Sequence, residues 1–203
     1  MSGGFVGVDV FFVISGFLIT GLLVRELERG GTISLARFYA RRAKRLLPAT
    51  AVVLFSTAGL VLAFMPRIRW SDIGADLVAS ALYVVNWRLA DRSVDYLAED
   101  VEPSPVQHFW SLAVEEQYYL VWPVLLLAVT WLARRRGRRL GRSLWLGLAI
   151  VAVPSFAWSI HQTAYEPASA FFVTTTRMWE LALGAALAIP VTLLVWFVSA
   201  LLH

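Results

Sequence analysis

The chain has 203 residues, of which 59% are hydrophobic and 16% charged, and its mean hydropathy is +0.67. That balance excludes an ordinary soluble globular domain and a disordered segment, which carry far less apolar surface per residue. The net charge of +4 comes from basic residues gathered between apolar stretches, so nucleic acid is not an expected partner. The absence of cysteine excludes disulfides, thiolate nucleophiles and cysteine-ligated zinc, and no other metal motif is expected.

Crossing a hydrocarbon core of about 30 Å takes roughly 20 apolar residues of helix. Phe5–Val24, with Asp9 as its single charge, predicts the first span. Ser15 and Gly16 are small enough there to admit a neighbouring helix. Asp9 is either solvated at the outer interface or paired inside the bundle. Residues 34–48, "SLARFYARRAKRLLP", predict an amphipathic helix with Ser34 as N-cap and Pro48 in the first turn of the helix that follows. Leu47–Met65 is the second span. Gly74–Trp87 is short for a crossing, and its Asp76 would be costly against lipid, so it is expected to be re-entrant or to lie at the outer face. Residues 88–108, holding Asp91, Asp95, Glu99, Asp100 and Glu102, read as an extracytoplasmic loop. Gln117–Ala133, Ser143–Ile160 and Met178–Leu202 complete the set. The expected fold is an all-α polytopic transmembrane bundle with about five spanning helices and one short re-entrant or interfacial segment.

Loop charge sets the expected orientation. Arg25, Arg29, Arg37, Arg41, Arg42, Lys44 and Arg45 separate the first two spans, and six arginines crowd residues 134–142. Both clusters belong in the cytosol by the positive-inside rule, with residues 88–108 outside. The protein is expected in the cytoplasmic (inner) membrane, with the lipid bilayer as its first partner.

Two stretches carry chemistry. Arg42 and Arg45, at i and i+3, present two guanidinium forks on one side of a helix and suit phosphate groups. The same residues also suit a juxtamembrane anchor for anionic lipid. In "QHFWSLAVEEQYYLVWP", 107–123, a helix starting near Pro105 puts Ser111, Glu115 and Tyr118 or Tyr119 on one face, with His108 a turn earlier. Adjacent Glu115 and Glu116 at a hydrophobic entrance suit general acid–base work or the orientation of a histidine. An aromatic belt with solvated acids is the competing reading. His161 and His203 receive no role.

Together "GGFVGVDVFFVISGFLITGLL", "SLARFYARRAKRLLP", "HFWSLAVEEQYYLVWP" and "TTTRMWELALGAALA" (174–188) resemble, in order, the motifs of the membrane-bound acyltransferase 3 family. The resemblance runs from Gly3 to about Ala188 and implies part of an integral-membrane O-acyltransferase domain covering 1–203, truncated at both ends relative to the family. Such proteins move an acyl group, commonly acetyl, from cytosolic acyl-coenzyme A to a hydroxyl of an extracytoplasmic carbohydrate or glycolipid, with no permanently bound cofactor. The family's Arg-x-x-Arg pattern falls on Arg42 and Arg45, which the resemblance makes donor-binding. Its His-x-Trp-Ser-Leu-x-x-Glu-Glu-Gln pattern falls on His108, Trp110, Ser111, Leu112, Glu115, Glu116 and Gln117, which makes His108, Glu115 and Glu116 the candidate catalytic groups. The resemblance makes the base a histidine upstream of the Gly-Gly-Phe-Val-Gly segment, separated by ten residues from a preceding Arg or Lys, with Glu115 or Glu116 orienting it or holding the acceptor. This sequence has no counterpart of that histidine. A non-enzymatic transporter or channel fragment is the alternative, supported by intramembrane Asp9 and Asp76.

Overall fold

The computed structural model describes residues 4–93, 103–137 and 140–201. Eight α-helices, with a 3-10 turn at Arg67–Arg69 between the second and third, follow one another among them: α1 (Gly4–Gly30), α2 (Leu35–Phe64), α3 (Trp70–Ala81), α4 (Val85–Ser93), α5 (Phe109–Arg135), α6 (Leu140–Tyr165), the single turn α7 (Pro167–Ala170) and α8 (Thr174–Leu201). Among the described residues four helices are long and apolar enough to cross a bilayer, over Val6–Gly30, Leu35–Phe64, Phe109–Arg135 and Gly141–Tyr165. The 28 residues of α8 also suffice in length. The protein is a multi-pass, all-helical membrane protein. The acidic residues expected in the loop from Asp95 to Glu102 lie outside the described residues.

Contacts divide the chain into two compact units, one of residues 1–33, 118–160 and 175–203, the other of 34–117 and 161–174. In the first unit, α1 and α8 meet backbone to backbone. A Cβ on Gly16 would fall 1.9 Å from the Leu181 carbonyl oxygen, and one on Gly184 would fall 1.9 Å from that of Val13. Only glycine admits that approach, which fulfils the expectation for the small residues of α1. The Tyr119 hydroxyl donates to the Ser15 carbonyl (3.2 Å), and the Trp122 indole donates to the Thr20 hydroxyl (2.8 Å). Asp9 is paired within this unit. Arg177, at the start of α8, reaches Asp9 Oδ1 at 3.0 Å and Glu180 Oε1 at 2.6 Å. At the other end of α1, Gly31 takes a left-handed φ of 68° beside the Arg134 guanidinium, so the two basic clusters begin on one side of this unit.

The second unit corrects two expectations. Pro48 does not open a new helix: α2 runs unbroken from Leu35 through Pro48 to Phe64. Proline removes one backbone donor, but a long apolar helix with lipid-facing residues on most sides tolerates that loss. Phe55, Leu60, Leu62 and Phe64 are all exposed on it, as a lipid-facing surface requires. Ser34 holds the N-cap position in extended conformation without a side-chain capping bond. The expected loop at residue 88 also starts later, since 88–93 belong to α4.

Where one short segment was expected over residues 74–87, the chain forms two short helices, α3 and α4, that span 70–93 with a turn at 82–84. At 12 and 9 residues they extend about 18 and 14 Å, too little to cross. α3 packs on α2, and α4 packs on α3 and α7. The two form a hairpin because their charges match in register. Asp72 and Asp76 lie four residues apart on α3, and Arg88 and Arg92 four apart on α4. Arg88 Nε reaches Asp76 Oδ1 at 2.7 Å and Arg88 Nη2 reaches Asp72 Oδ1 at 2.9 Å, while Arg92 Nη1 reaches Asp76 Oδ2 at 3.1 Å and Arg92 also pairs with Asp72. Asp76 is only 1% exposed, so both of its oxygens need those cations.

Asp76→Ala should therefore destabilise the protein by about 3 kcal/mol, the low end for a broken buried pair, because the arginines keep some access to solvent. Asp72→Asn, at a half-exposed position, should cost under about 1 kcal/mol. Thermal unfolding in detergent micelles checks the contrast; equal losses would show that the hairpin does not depend on the buried carboxylate.

Candidate active site

The turn between α3 and α4 builds one wall of the candidate site. Tyr83 adopts a left-handed φ of 55°, a conformation that costs a bulky residue about 1–3 kcal/mol. Its surroundings hold it there. The Tyr83 hydroxyl and the Thr50 hydroxyl share a hydrogen bond of 3.0 Å, and the Tyr83 carbonyl accepts from Gln117 Nε2 at 2.8 Å.

Gln117 uses its whole amide. Nε2 also donates to Asn86 Oδ1 (2.9 Å), while Oε1 accepts from the Thr174 hydroxyl (2.5 Å) and the Trp87 indole (3.1 Å). Fully buried Asn86 in turn donates to the Thr174 hydroxyl (2.9 Å) and the Phe172 carbonyl (3.1 Å). A carbonyl only accepts and an indole only donates, so the orientation of the Gln117 amide is determined. Such a closed network fixes the residue that precedes Gln117 in the chain, which is Glu116.

Glu116 pairs with Arg42. The guanidinium contacts Glu116 Oε1 through Nη2 and lies 3.5 Å from Oε2 through Nε. About a fifth of each side chain remains exposed, 21% for Arg42 and 18% for Glu116. The structure thus brings together one residue from each of the two motifs that sequence reasoning treated separately. Arg45, a turn further along α2, is exposed, and Glu115 is buried. His108 is exposed in the turn before α5, not in the first turn of a helix begun near Pro105. Its ring lies 5.0 Å from that of Phe109, and its carbonyl accepts from the Ser111 hydroxyl at 3.3 Å. No cluster of three or more metal-ligating side chains occurs among the described residues.

The aromatic residues of this motif do not form a belt. Trp110, Tyr118, Tyr119 and Trp122 are each less than a tenth exposed. Trp110 packs against Phe171 and Phe172, with ring centroids 4.6 and 5.5 Å away. Sequence reasoning gave no role to Asn86, Thr174 or Tyr83, although Thr174 opens the fourth quoted motif. Only the unusual placement of an asparagine and a threonine beside apolar runs marked the first two.

These features define a multi-pass helical membrane protein with a half-buried arginine–glutamate pair supported by a saturated amide network. The family model for the acyltransferase domain matches residues 2–202, and the chain belongs to the acyltransferase 3 family. It is 36% identical over 190 residues to the peptidoglycan O-acetyltransferase OatA of Listeria monocytogenes, covering 92% of this chain and 29% of that protein. A putative peptidoglycan O-acetyltransferase of Bacillus subtilis, YrhL, is 34% identical over 188 residues, with 93% and 29% covered. A putative O-acetyltransferase of Staphylococcus aureus is 40% identical over 192 residues, with 93% and 30% covered. The chain spans about three tenths of the length of these relatives. No solved structure matches it.

The network makes a specific demand on Thr174. Thr174→Val keeps the volume but removes one of the two partners of Gln117 Oε1 and one of the two of Asn86 Nδ2, and should cost about 1–3 kcal/mol. Thr174→Ser retains the hydroxyl and should cost less than half as much. Thermal unfolding of the two variants in detergent would show it, and equal losses would locate the role of Thr174 in its methyl group instead.

Proposed function

We propose that this chain forms part of a membrane O-acyltransferase that moves an acyl group, acetyl by analogy with its relatives, from cytosolic acyl-coenzyme A to a hydroxyl of a cell-envelope carbohydrate such as peptidoglycan. The observation that carries the reading is the Arg42–Glu116 pair, which keeps a guanidinium suited to a phosphate and a carboxylate partly exposed within the helix bundle. Family membership and the relatives' names support the same reaction class.

In this reading Arg42 and Arg45 anchor coenzyme A from the cytosolic side. Glu115, which is buried, and Glu116 are the candidate carboxylates that orient the base or hold the acceptor. His108 remains a candidate proton-exchanging group at the lead into α5. The transporter alternative rested on Asp9, Asp76 and the partial helix; Asp9 and Asp76 are ion-paired here, which weakens two of its three supports.

Acyl transfer by a full-length relative, altered at the positions that correspond to these residues, tests the assignment. Arg42→Ala and Arg45→Ala should each lower kcat/KM for acyl-coenzyme A by about 10- to 150-fold, the value of a charge-assisted phosphate contact. Arg29→Ala should change it little. Glu116→Gln should lower kcat by about 10²–10⁴-fold. Small, equal effects at all three arginines would favour a lipid anchor. Orientation is tested separately, with cysteines at exposed Ser71 and Arg136 and a membrane-impermeant thiol reagent applied from outside. Labelling at 71 alone is expected, and labelling at 136 alone would reverse the arrangement.

A further inference from the structure

The first compact unit carries a groove that the function proposed above does not use. It lies between α5 and α6, next to the turn that joins them, and encloses about 160 Å³. Both helices line it in the same rhythm. Val129, Leu132 and then Arg136 come from the end of α5 and the residue just past it, Ser143, Leu146 and Ile150 from the start of α6. Positions i, i+3 and i+7 share one face of a helix, so a stripe from each helix walls the groove. Gly147 brings the two together, since a Cβ there would fall 2.8 Å from a Val129 methyl carbon. Leu132, Leu146 and Ile150 are nevertheless exposed, which leaves the groove open to the surrounding hydrocarbon.

The polar lining is confined to the end nearest the turn, at Arg136 and Ser143. Arg136 is exposed, and no carboxylate among the described residues pairs with it. The guanidinium of Arg135 is already engaged, 4.0 Å from the centre of the Trp131 ring. Trp131 and Trp145, next in sequence to Leu132 and Leu146, are each about half exposed. Exposed tryptophans beside a run of arginines mark the boundary between lipid headgroups and acyl chains.

We propose that this groove binds an anionic phospholipid, with an acyl chain between α5 and α6 and the headgroup phosphate on Arg136. This does not rest on the acyltransfer reading. An apolar cleft of this kind stays dry and takes hydrocarbon rather than water. Its single cation at the headgroup level then selects a lipid that carries net negative charge, as basic pockets between membrane helices do. Free phosphate would answer Arg136 but leave the apolar walls uncovered. A second copy of the chain could cover the walls, but would have to bring an acid to the arginine. The bound lipid ties the arginine-rich turn between α5 and α6 to an anionic leaflet.

Titration of phosphatidylglycerol into the purified chain in neutral detergent, read by native mass spectrometry, tests the site. A single phosphatidylglycerol should be retained in preference to phosphatidylcholine, and inorganic phosphate should not displace it. Arg136→Gln should weaken retention about fivefold, the value of one arginine at an anionic surface, and Arg136→Lys should restore most of it. Leu146→Trp fills the groove from an exposed position and should abolish retention. Leu146→Ala leaves the groove open and should keep most of the binding, which separates plugging from misfolding. Arg29→Gln, at an exposed arginine on α1, should change little. Equal losses on Arg136→Gln and Arg29→Gln, with none on Leu146→Trp, would be headgroup attraction alone and would overturn the proposal. So would equal retention of phosphatidylcholine, displacement by inorganic phosphate, or a dimer that Leu146→Trp dissociates, which would make the groove a contact between copies.

Discussion

An ionised group among helices that face hydrocarbon must find its counter-charge inside the protein, because the bilayer offers neither water nor salt. Much of what is specific in this structure follows from that requirement. Asp76 obliges α4 to supply Arg88 and Arg92, and those pairings turn two helices too short to cross into a hairpin. Glu180 and Asp9 oblige α8 to supply Arg177. Glu116 obliges α2 to supply Arg42. Apolar packing alone leaves helices in a membrane free to slide and rotate, since lipid tails solvate them as well as neighbouring side chains do. Charge pairs and the glycine contacts of α1 with α8 select one arrangement among many.

The Gln117 network works differently from the ion pairs. Its members are neutral, so it carries little long-range field, but every donor and acceptor has an assigned partner. The consequence is rigidity at the residue beside Glu116 and at the strained turn of Tyr83. A left-handed tyrosine is stable only where its surroundings over-determine it. Thr50 holds the side chain and Gln117 the backbone, so the strain at residue 83 is offset by partners on α2 and α5. Charge and rigidity thus meet within two consecutive residues of α5.

Much of the fold was legible in the sequence because apolar runs of spanning length are unambiguous, and the short, Asp76-bearing stretch could not be a crossing. Less legible was the continuity of α2. Proline is a weak helix breaker where the alternative is unsatisfied backbone in hydrocarbon, and rules drawn from soluble proteins misplace its meaning at Pro48. The site residues were legible as residue types, not as partners. Composition shows that Arg42 and Glu116 are charged near apolar segments; it does not show that residues 74 apart in the chain share a hydrogen bond. Matching i, i+4 spacing of Asp72 with Asp76 and of Arg88 with Arg92 was a readable signal for the hairpin, obscured by assigning the arginines to a loop. Asn86 and Thr174 gave no comparable pattern, because a hydrogen-bond network has no period.

The pairing of Arg42 with Glu116 also bears on why opposite charges are placed in contact within a helix bundle. A lone arginine would bind any passing phosphate, and a lone carboxylate would be poorly tolerated this deep in a helix bundle. Paired, each protects the other from the cost of isolation while remaining exchangeable, since a partly exposed pair is held by far less than a sealed one. The surrounding amide network complements the pair, because it holds the turn of α5 that carries Glu116 through Gln117 and leaves Arg42 to neutralise the carboxylate.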